Sequence, residues 1–245
     1  MDISAVKRQS HAVLQRQRRP ILTASFLFLA VILVLTVLRG LLVAPDKDAA
    51  LQFTNLYLAG DYDGGKQVME EMQPATRDAL INYLLAFLQA IVSFGFLMLM
   101  LKAIRGETVE ALMLMDGFGN FARVLLLEIL LTIILALSFS LFIIPGFIAL
   151  YYYRMARYLL LIHPEFGVID CLRESRLRTE GHRIQFLLLD LSFLGWALLA
   201  CIPVLGLAVA GWLLPYWRGA ELLYCEAINA PFEPVPEEAE TNQPS

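Results

Sequence analysis

Near its C-terminus the chain reads IQFLLLDLSFLGWALLACIPVLGLAVAGWLLPYW, from Ile184 to Trp217. Asp190 is the one charged residue in this stretch. As a single helix the stretch would be about 50 Å long, because a helix rises about 1.5 Å per residue. The hydrocarbon core of a bilayer is about 30 Å thick. Pro203 and Gly206 interrupt helices, so the sequence predicts two membrane-spanning helices joined by a tight turn.

The composition of the whole chain is also typical of a membrane protein. Of its 245 residues, 58% are hydrophobic, against about 45–50% in soluble domains, and the mean hydropathy is +0.64. A net charge of −4 argues against nucleic acid as a partner. The cysteines Cys171, Cys201 and Cys225 show no CxxC spacing, so we expect neither a disulfide framework nor a metal site.

Four further apolar segments precede this stretch. The six predicted spans cover about residues 20–43, 78–102, 122–143, 146–162, 184–202 and 206–225. Pro145-Gly146 is predicted to turn the third span into the fourth. The fold class is therefore all-α: a polytopic transmembrane helix bundle over residues 20–226, with two Pro-Gly helical hairpins.

The segments between the spans indicate the orientation of the bundle. Residues 1–19 form a basic arm, and both inner loops are rich in Lys and Arg, which favours the cytoplasmic side for all three. The arm's basic residues either act only as this topology signal or also contact anionic headgroups. Residues 44–77 are predicted to form an extracytoplasmic helix-turn-helix loop. Residues 227–245 are predicted to form a disordered acidic cytoplasmic tail.

One pair of acids in the outer loop resembles the start of a calcium loop. Asp61 and Asp63 have the spacing of the first two ligands, but Gly65 and Met72 stand where later ligands belong. We therefore expect no calcium there.

Six charged residues fall inside the predicted spans, about 5–12 Å from their cytoplasmic ends. They are Glu128, Arg154, Arg157, Asp190, Arg218 and Glu221. Left unpaired, each would cost about 2.5–3.5 kcal/mol. We predict that Glu128 and Asp190 pair with the three arginines. The layer is then a structural ionic core, a cytoplasm-open cavity for an anionic ligand or lipid headgroup, or a proton or ion path.

The second inner loop, residues 163–183, is predicted to carry a short helix lying in the membrane interface. Four basic residues of this loop are candidate contacts for lipid headgroups or another membrane protein: Arg173, Arg176, Arg178 and Arg183.

Several sequence pieces between Phe94 and Ile228 occur in the order of a known family. They are Lys102-Ala-Ile-Arg105-Gly106, Gly117-Phe118, Ile144-Pro145-Gly146-Phe-Ile-Ala, Tyr153, Arg157-Tyr158, His163-Pro164, Arg173-Glu-Ser175-Arg176, Gly181, Leu191-Ser192-Phe193-Leu-Gly195-Trp196, Leu214-Pro215-Tyr216 and Tyr224. With these the chain resembles bacterial membrane proteins of the domain of unknown function 975. Thr179-Glu180 departs from the family's usual Met-Lys before Gly181. The resemblance implies a polytopic protein of the bacterial cytoplasmic membrane with this hairpin order, and it implies no activity.

The sequence contains no GxSxG, HExxH, Walker or GxGxxG motif, so we predict neither a catalytic residue nor a cofactor. Two functions remain open. The first is a non-enzymatic membrane scaffold, assembly factor or regulator that uses the basic inner loop. The second is a small transporter or a lipid- or anion-binding protein that uses the charge layer. The sequence does not specify the oligomeric state.

Overall fold

The structure is a computed structural model that describes residues 3–43, 47–71, 76–200 and 205–232. Within these ranges it is all-helical and contains no strand. The helices are α1 (Ile3–Arg16), α2 (Arg18–Leu42), α3 (Lys47–Leu58), α4 (Tyr62–Glu71), α5 (Thr76–Ile104), α6 (Phe121–Leu141), α7 (Ile143–Tyr152), α8 (Ala156–Ile162), α9 (Val168–Arg178), α10 (Arg183–Ala200) and α11 (Leu205–Asn229), with 3-10 segments at Ala111–Asn120 and Ala230–Phe232.

Three helical segments are long and apolar enough to cross a membrane: Arg18–Leu42, Arg77–Ile104 and Ala111–Leu141. They overlap the first three predicted spans. The all-helical class is confirmed, and these three segments are candidate spans. The remaining three spans and the hairpins stay predictions. The predicted turn at residues 202–206 falls mostly outside the described residues, and so do Cys201 and the tail beyond residue 232.

The basic N-terminal arm is a helix that packs on the bundle. Val6 and Leu14 of α1 are buried, and the buried Ser10 hydroxyl donates a hydrogen bond to the Tyr216 carbonyl of α11 (2.8 Å). Lys7 Nζ donates to the Ser192 carbonyl of α10 (3.2 Å). Burial lowers the pKa of Lys7. At least this one cation of the arm is therefore engaged by the protein itself.

Helix α11 continues through a proline because a neighbouring helix supplies the missing donor. Pro215 has no backbone N–H, so the carbonyl of Gly211, four residues earlier, loses its helical hydrogen bond. The buried hydroxyl of Ser25 on α2 donates to this carbonyl at 2.7 Å. Side-chain hydroxyls commonly satisfy backbone groups freed by proline in membrane helices.

The 3-10 segment lies directly against α5. A Cβ atom on Gly95 would stand 2.0 Å from the Leu114 carbonyl oxygen, and one on Gly117 would stand 2.5 Å from the Ile91 carbonyl oxygen. Two glycines that face each other thus allow the two backbones to touch. This segment between the second and third predicted spans is therefore packed on the bundle.

The fourth predicted span, residues 146–162, is interrupted, and this corrects the prediction of one helix. Residues 153–155 form a turn between α7 and α8, where the Ala156 N–H bonds to the Tyr153 carbonyl. The Tyr152 carbonyl, freed by this turn, accepts hydrogen bonds from the Ser175 and Thr179 hydroxyls of the neighbouring α9 (2.9 and 3.0 Å). The interruption is therefore stabilised by tertiary contacts.

The turn between the third and fourth predicted spans also lies earlier than predicted. The extended residue is Phe142, and Pro145-Gly146 lies in the first turn of α7. A proline there loses no hydrogen bond, because the first helical N–H groups have no intrahelical partner. Phe139 of α6 contacts Phe147 of α7 edge to face, with ring centroids 5.7 Å apart.

The outer loop contains two short helices, α3 and α4, joined by a turn at residues 59–61. The Gly64 N–H donates to Asp61 Oδ1 at 3.0 Å, in the manner of a helix cap. This contact gives the Asp61 carboxylate a structural role at the start of α4.

Candidate functional site

The structure brings the six predicted charged residues together between α6, α8, α10 and α11. Glu128 comes from α6, Arg157 from α8, Asp190 from α10, and Arg218 and Glu221 from α11. Arg154 lies in the turn that interrupts the fourth predicted span. We call these six residues the ionic cluster.

Arg154 is the centre of the ionic cluster, and only 12% of its side chain is exposed. Its Nη2 donates to Asp190 Oδ1 at 2.8 Å, and its Nη1 also contacts Asp190 Oδ2. Its Nε donates to Glu221 Oε1 at 2.8 Å. One guanidinium therefore joins α10 to α11 through three charge-assisted hydrogen bonds.

Two residues that the sequence analysis missed complete the surroundings of Asp190. The Tyr151 hydroxyl donates to Asp190 Oδ2 (3.2 Å), and Trp217 Nε1 donates to Asp190 Oδ1 (3.1 Å). A partly buried indole or phenol usually finds an acceptor. Tyr151 and Trp217 lie close in sequence to Arg154 and Arg218, which was the one sign that they belong to the site. Sequence spacing does not indicate which carboxylate accepts their hydrogen bonds.

The other two arginines form one ion pair each. Arg157 binds Glu128 through two hydrogen bonds, from Nε at 2.6 Å and from Nη2 at 2.9 Å. Arg218 Nη1 donates to Glu221 Oε2 at 2.7 Å. The predicted partners of Arg218 were Glu128 and Asp190, and this part of the prediction is wrong. Glu221 lies three residues further along α11, where a side chain shares the same helix face.

Two neighbouring cavities open onto the ionic cluster. The first has a volume of about 360 Å³ and is lined by five cluster residues together with leucines, Trp217 and Cys225. The second has a volume of about 310 Å³, and its polar lining comes from Gln89, Ser93, Glu128, Arg157 and Arg218. Arg157 and Arg218 line both, with 49% and 45% of their side chains exposed.

The four candidate arginines of the second inner loop do not form one exposed surface. Arg178 is only 6% exposed; it contacts Asn229 and lies 3.4 Å from the Glu174 carboxylate. It is therefore excluded as a surface contact. Arg183 stacks on the ring of Tyr152, 3.6 Å from its centroid. Arg173 and Arg176 remain exposed.

The same loop contains two groups with shifted pKa values. The pKa of the exposed Glu165 is lowered, first by a hydrogen bond from its own backbone and then by one from His163. Burial raises the pKa of the Cys171 thiol, which makes it a poorer nucleophile near neutral pH. In the described part of the chain, no group of three or more His, Cys, Asp or Glu residues is placed to hold a metal ion.

A family model described as "Protein of unknown function (DUF975)" matches residues 134–231. Over these residues, which we call the DUF975 region, the chain is similar to this family. The DUF975 region contains five members of the ionic cluster and begins after Glu128. The sequence pieces of the resemblance that lie between Phe94 and residue 133 precede the matched region. Neither the curated proteins nor the solved structures gave a match.

Proposed function

We propose that this chain is a non-enzymatic multi-pass protein of the bacterial cytoplasmic membrane that acts as a scaffold, assembly factor or regulator. In this proposal the ionic cluster is a structural core that fixes how α6 and α8 pack against α10 and α11. The observation that supports it is the complete pairing of three arginines with three carboxylates, which come from four separate segments of the chain.

The energetics of buried charges favour this structural role. Removing one partner of a buried pair leaves an uncompensated charge and typically costs about 3–5 kcal/mol. Arg154 and Glu221 are the most enclosed members of the ionic cluster. Each of them contacts two opposite charges, so the positions of the surrounding helices are coupled through these two side chains.

The surface available to a partner is the exposed face of α9. Arg173 and Arg176 lie on it together with the exposed apolar side chains of Ile169 and Leu177. A face that combines cations with apolar side chains fits a membrane surface or an amphipathic partner segment. Of the four arginines proposed from the sequence, two lie on this surface.

Neutralising the carboxylates of the ionic cluster tests the structural proposal. We expect Asp190→Asn and Glu128→Gln each to lower the thermal unfolding temperature of the purified protein in detergent, because Arg154 or Arg157 then loses a charged partner. Asp116→Asn is the matched control, since Asp116 forms an exposed pair with Lys102. Unchanged unfolding temperatures for both cluster variants would contradict a structural core.

A second candidate function is favoured by the cavities. Binding sites for small ligands typically have volumes of several hundred cubic ångströms. The two cavities are of this size, and both reach the paired charges. On this candidate the protein is a small transporter or a lipid- or anion-binding protein. The DUF975 match names no role and therefore supports neither candidate over the other.

A further inference from the structure

The two cavities meet at a pair of half-exposed arginines. Leu97, Arg157 and Arg218 line both of them. One cavity extends from these arginines along Leu131, Leu135 and Leu150. The other extends along Gln89, Ser93 and Phe96. The two arginines therefore lie between an apolar wall on one side and the Gln89 amide and Ser93 hydroxyl on the other.

The two arginines of this junction keep unused hydrogen-bond donors. Each of the six carboxylate oxygens of Glu128, Asp190 and Glu221 already accepts a hydrogen bond from a guanidinium. A guanidinium has five N–H groups. Arg157 uses Nε and Nη2, and Arg218 uses Nη1. Among the described residues no hydrogen bond uses Nη1 of Arg157 or Nε and Nη2 of Arg218.

We propose that Arg218 and Arg157 bind the phosphate of a phosphate ester at this junction, with Arg218 as the main contact. The ester is a phospholipid headgroup whose acyl chains follow the leucine wall, or a soluble phosphate ester that enters the same opening. The inference rests on the second candidate function above and names its ligand class.

The chemistry of the site selects phosphate over a cation. Each carboxylate is already paired with a guanidinium, so a cation would have to compete with an arginine for it. The planar fork of Arg matches phosphate oxygens with two parallel hydrogen bonds, and Arg is the preferred residue for such groups. The charges of the ionic cluster cancel, so binding depends on these directed donors more than on net charge.

The test compares Arg218→Gln with Arg77→Gln in the full-length protein in a non-ionic detergent. Arg218→Gln leaves Glu221 paired with Arg154, so the variant keeps the centre of the ionic cluster, and its unfolding temperature is measured as a check. Arg77→Gln removes an exposed arginine at the start of α5, which belongs to neither the ionic cluster nor the α9 surface. Native mass spectrometry counts bound phosphatidylglycerol against diacylglycerol, and inorganic phosphate and glycerol phosphate are added as soluble competitors.

We expect one phosphatidylglycerol per chain, no comparable binding of diacylglycerol, and about tenfold weaker binding in Arg218→Gln, the loss expected for one charged hydrogen bond. Arg77→Gln should bind as the unaltered protein does. Displacement by millimolar glycerol phosphate or inorganic phosphate would identify the soluble source, and resistance to both would identify the lipid. Either result supports a phosphate site when it depends on Arg218.

Equal binding of diacylglycerol, or equal binding by Arg218→Gln and the unaltered protein, would overturn the proposal. So would an equal loss in Arg77→Gln, because the attraction would then come from the general surface charge. The outcome is independent of the structural proposal. If phosphate binding fails while Asp190→Asn still lowers the unfolding temperature, the ionic cluster is structural and the junction is not a ligand site.

Discussion

At the scale of single residues, the structure satisfies polar groups in an apolar interior with partners from other helices. Ser25 donates to the carbonyl that Pro215 leaves free. Ser175 and Thr179 donate to Tyr152 where the helix breaks. Arg154 joins two carboxylates. A backbone carbonyl or charge without a partner would be costly in such surroundings.

Removing the Ser25 hydroxyl is expected to destabilise the protein through the proline of α11. Ser25→Ala leaves the Gly211 carbonyl buried without a donor, at a cost of about 1–3 kcal/mol. In a Pro215→Ala background the carbonyl regains a helical N–H donor, so the cost of Ser25→Ala should fall to less than about half. Thermal unfolding of the four combinations in detergent measures this coupling.

Ser138→Ala is the control for that cycle. The Ser138 hydroxyl donates to the Ile134 carbonyl of its own helix (2.7 Å), in the back-bonding pattern that serine adopts within helices. We expect a small effect there. If the cost of Ser25→Ala is the same with and without Pro215, the hydroxyl does not act by satisfying the freed carbonyl.

Sequence reasoning identified the charged members of the ionic cluster but not all of their partners. The penalty for an unpaired charge in a membrane span applies to any such residue, so Arg154, Asp190 and the others could be recognised individually. Whether Arg218 reaches Asp190 or Glu221 depends on side-chain packing between α10 and α11. The spacing of three residues between Arg218 and Glu221 was a signal for their pairing, whereas no spacing indicates the acceptor of the Trp217 indole.

At the scale of elements, close backbone contact depends on glycine. Gly95 and Gly117 let α5 and the 3-10 segment touch, and neither position has room for a methyl group. Small residues generally permit such approach between membrane helices. The long helices were predictable because each is a long apolar run. The break at residues 153–155 was not, because α9 stabilises it from elsewhere in the chain.

A methyl group at Gly117 should separate these two elements. Gly117→Ala would place a Cβ 2.5 Å from the Ile91 carbonyl oxygen and 2.9 Å from the Gly95 nitrogen, so the backbones must move apart. We expect a lower yield of monodisperse protein by size-exclusion chromatography. Gly119→Ala, where nothing lies within 4 Å, should behave as the unaltered chain. Similar elution profiles for both variants would show that the contact does not matter.

At the scale of the whole molecule, the fold class followed from composition and apolar runs, and the ionic cluster links the helices that these runs form. Three candidate spans lie in the first 141 residues, whereas five of the six cluster residues lie in the later DUF975 region. Within the described residues, no further helix of that later region is among the candidate spans, so its crossings remain predictions from the sequence. Its place in the membrane is therefore the central part of the proposal.

Topology mapping shows on which side of the membrane each loop lies. Reporter pairs of alkaline phosphatase and green fluorescent protein are fused after Gly65, Phe142, Gly181 and Ser245. We expect phosphatase activity outside the cell membrane after Gly65 and Phe142, and fluorescence inside after Gly181 and Ser245. Phosphatase activity after Gly181 or Ser245 would contradict a six-span bundle whose ionic cluster lies near the cytoplasmic side.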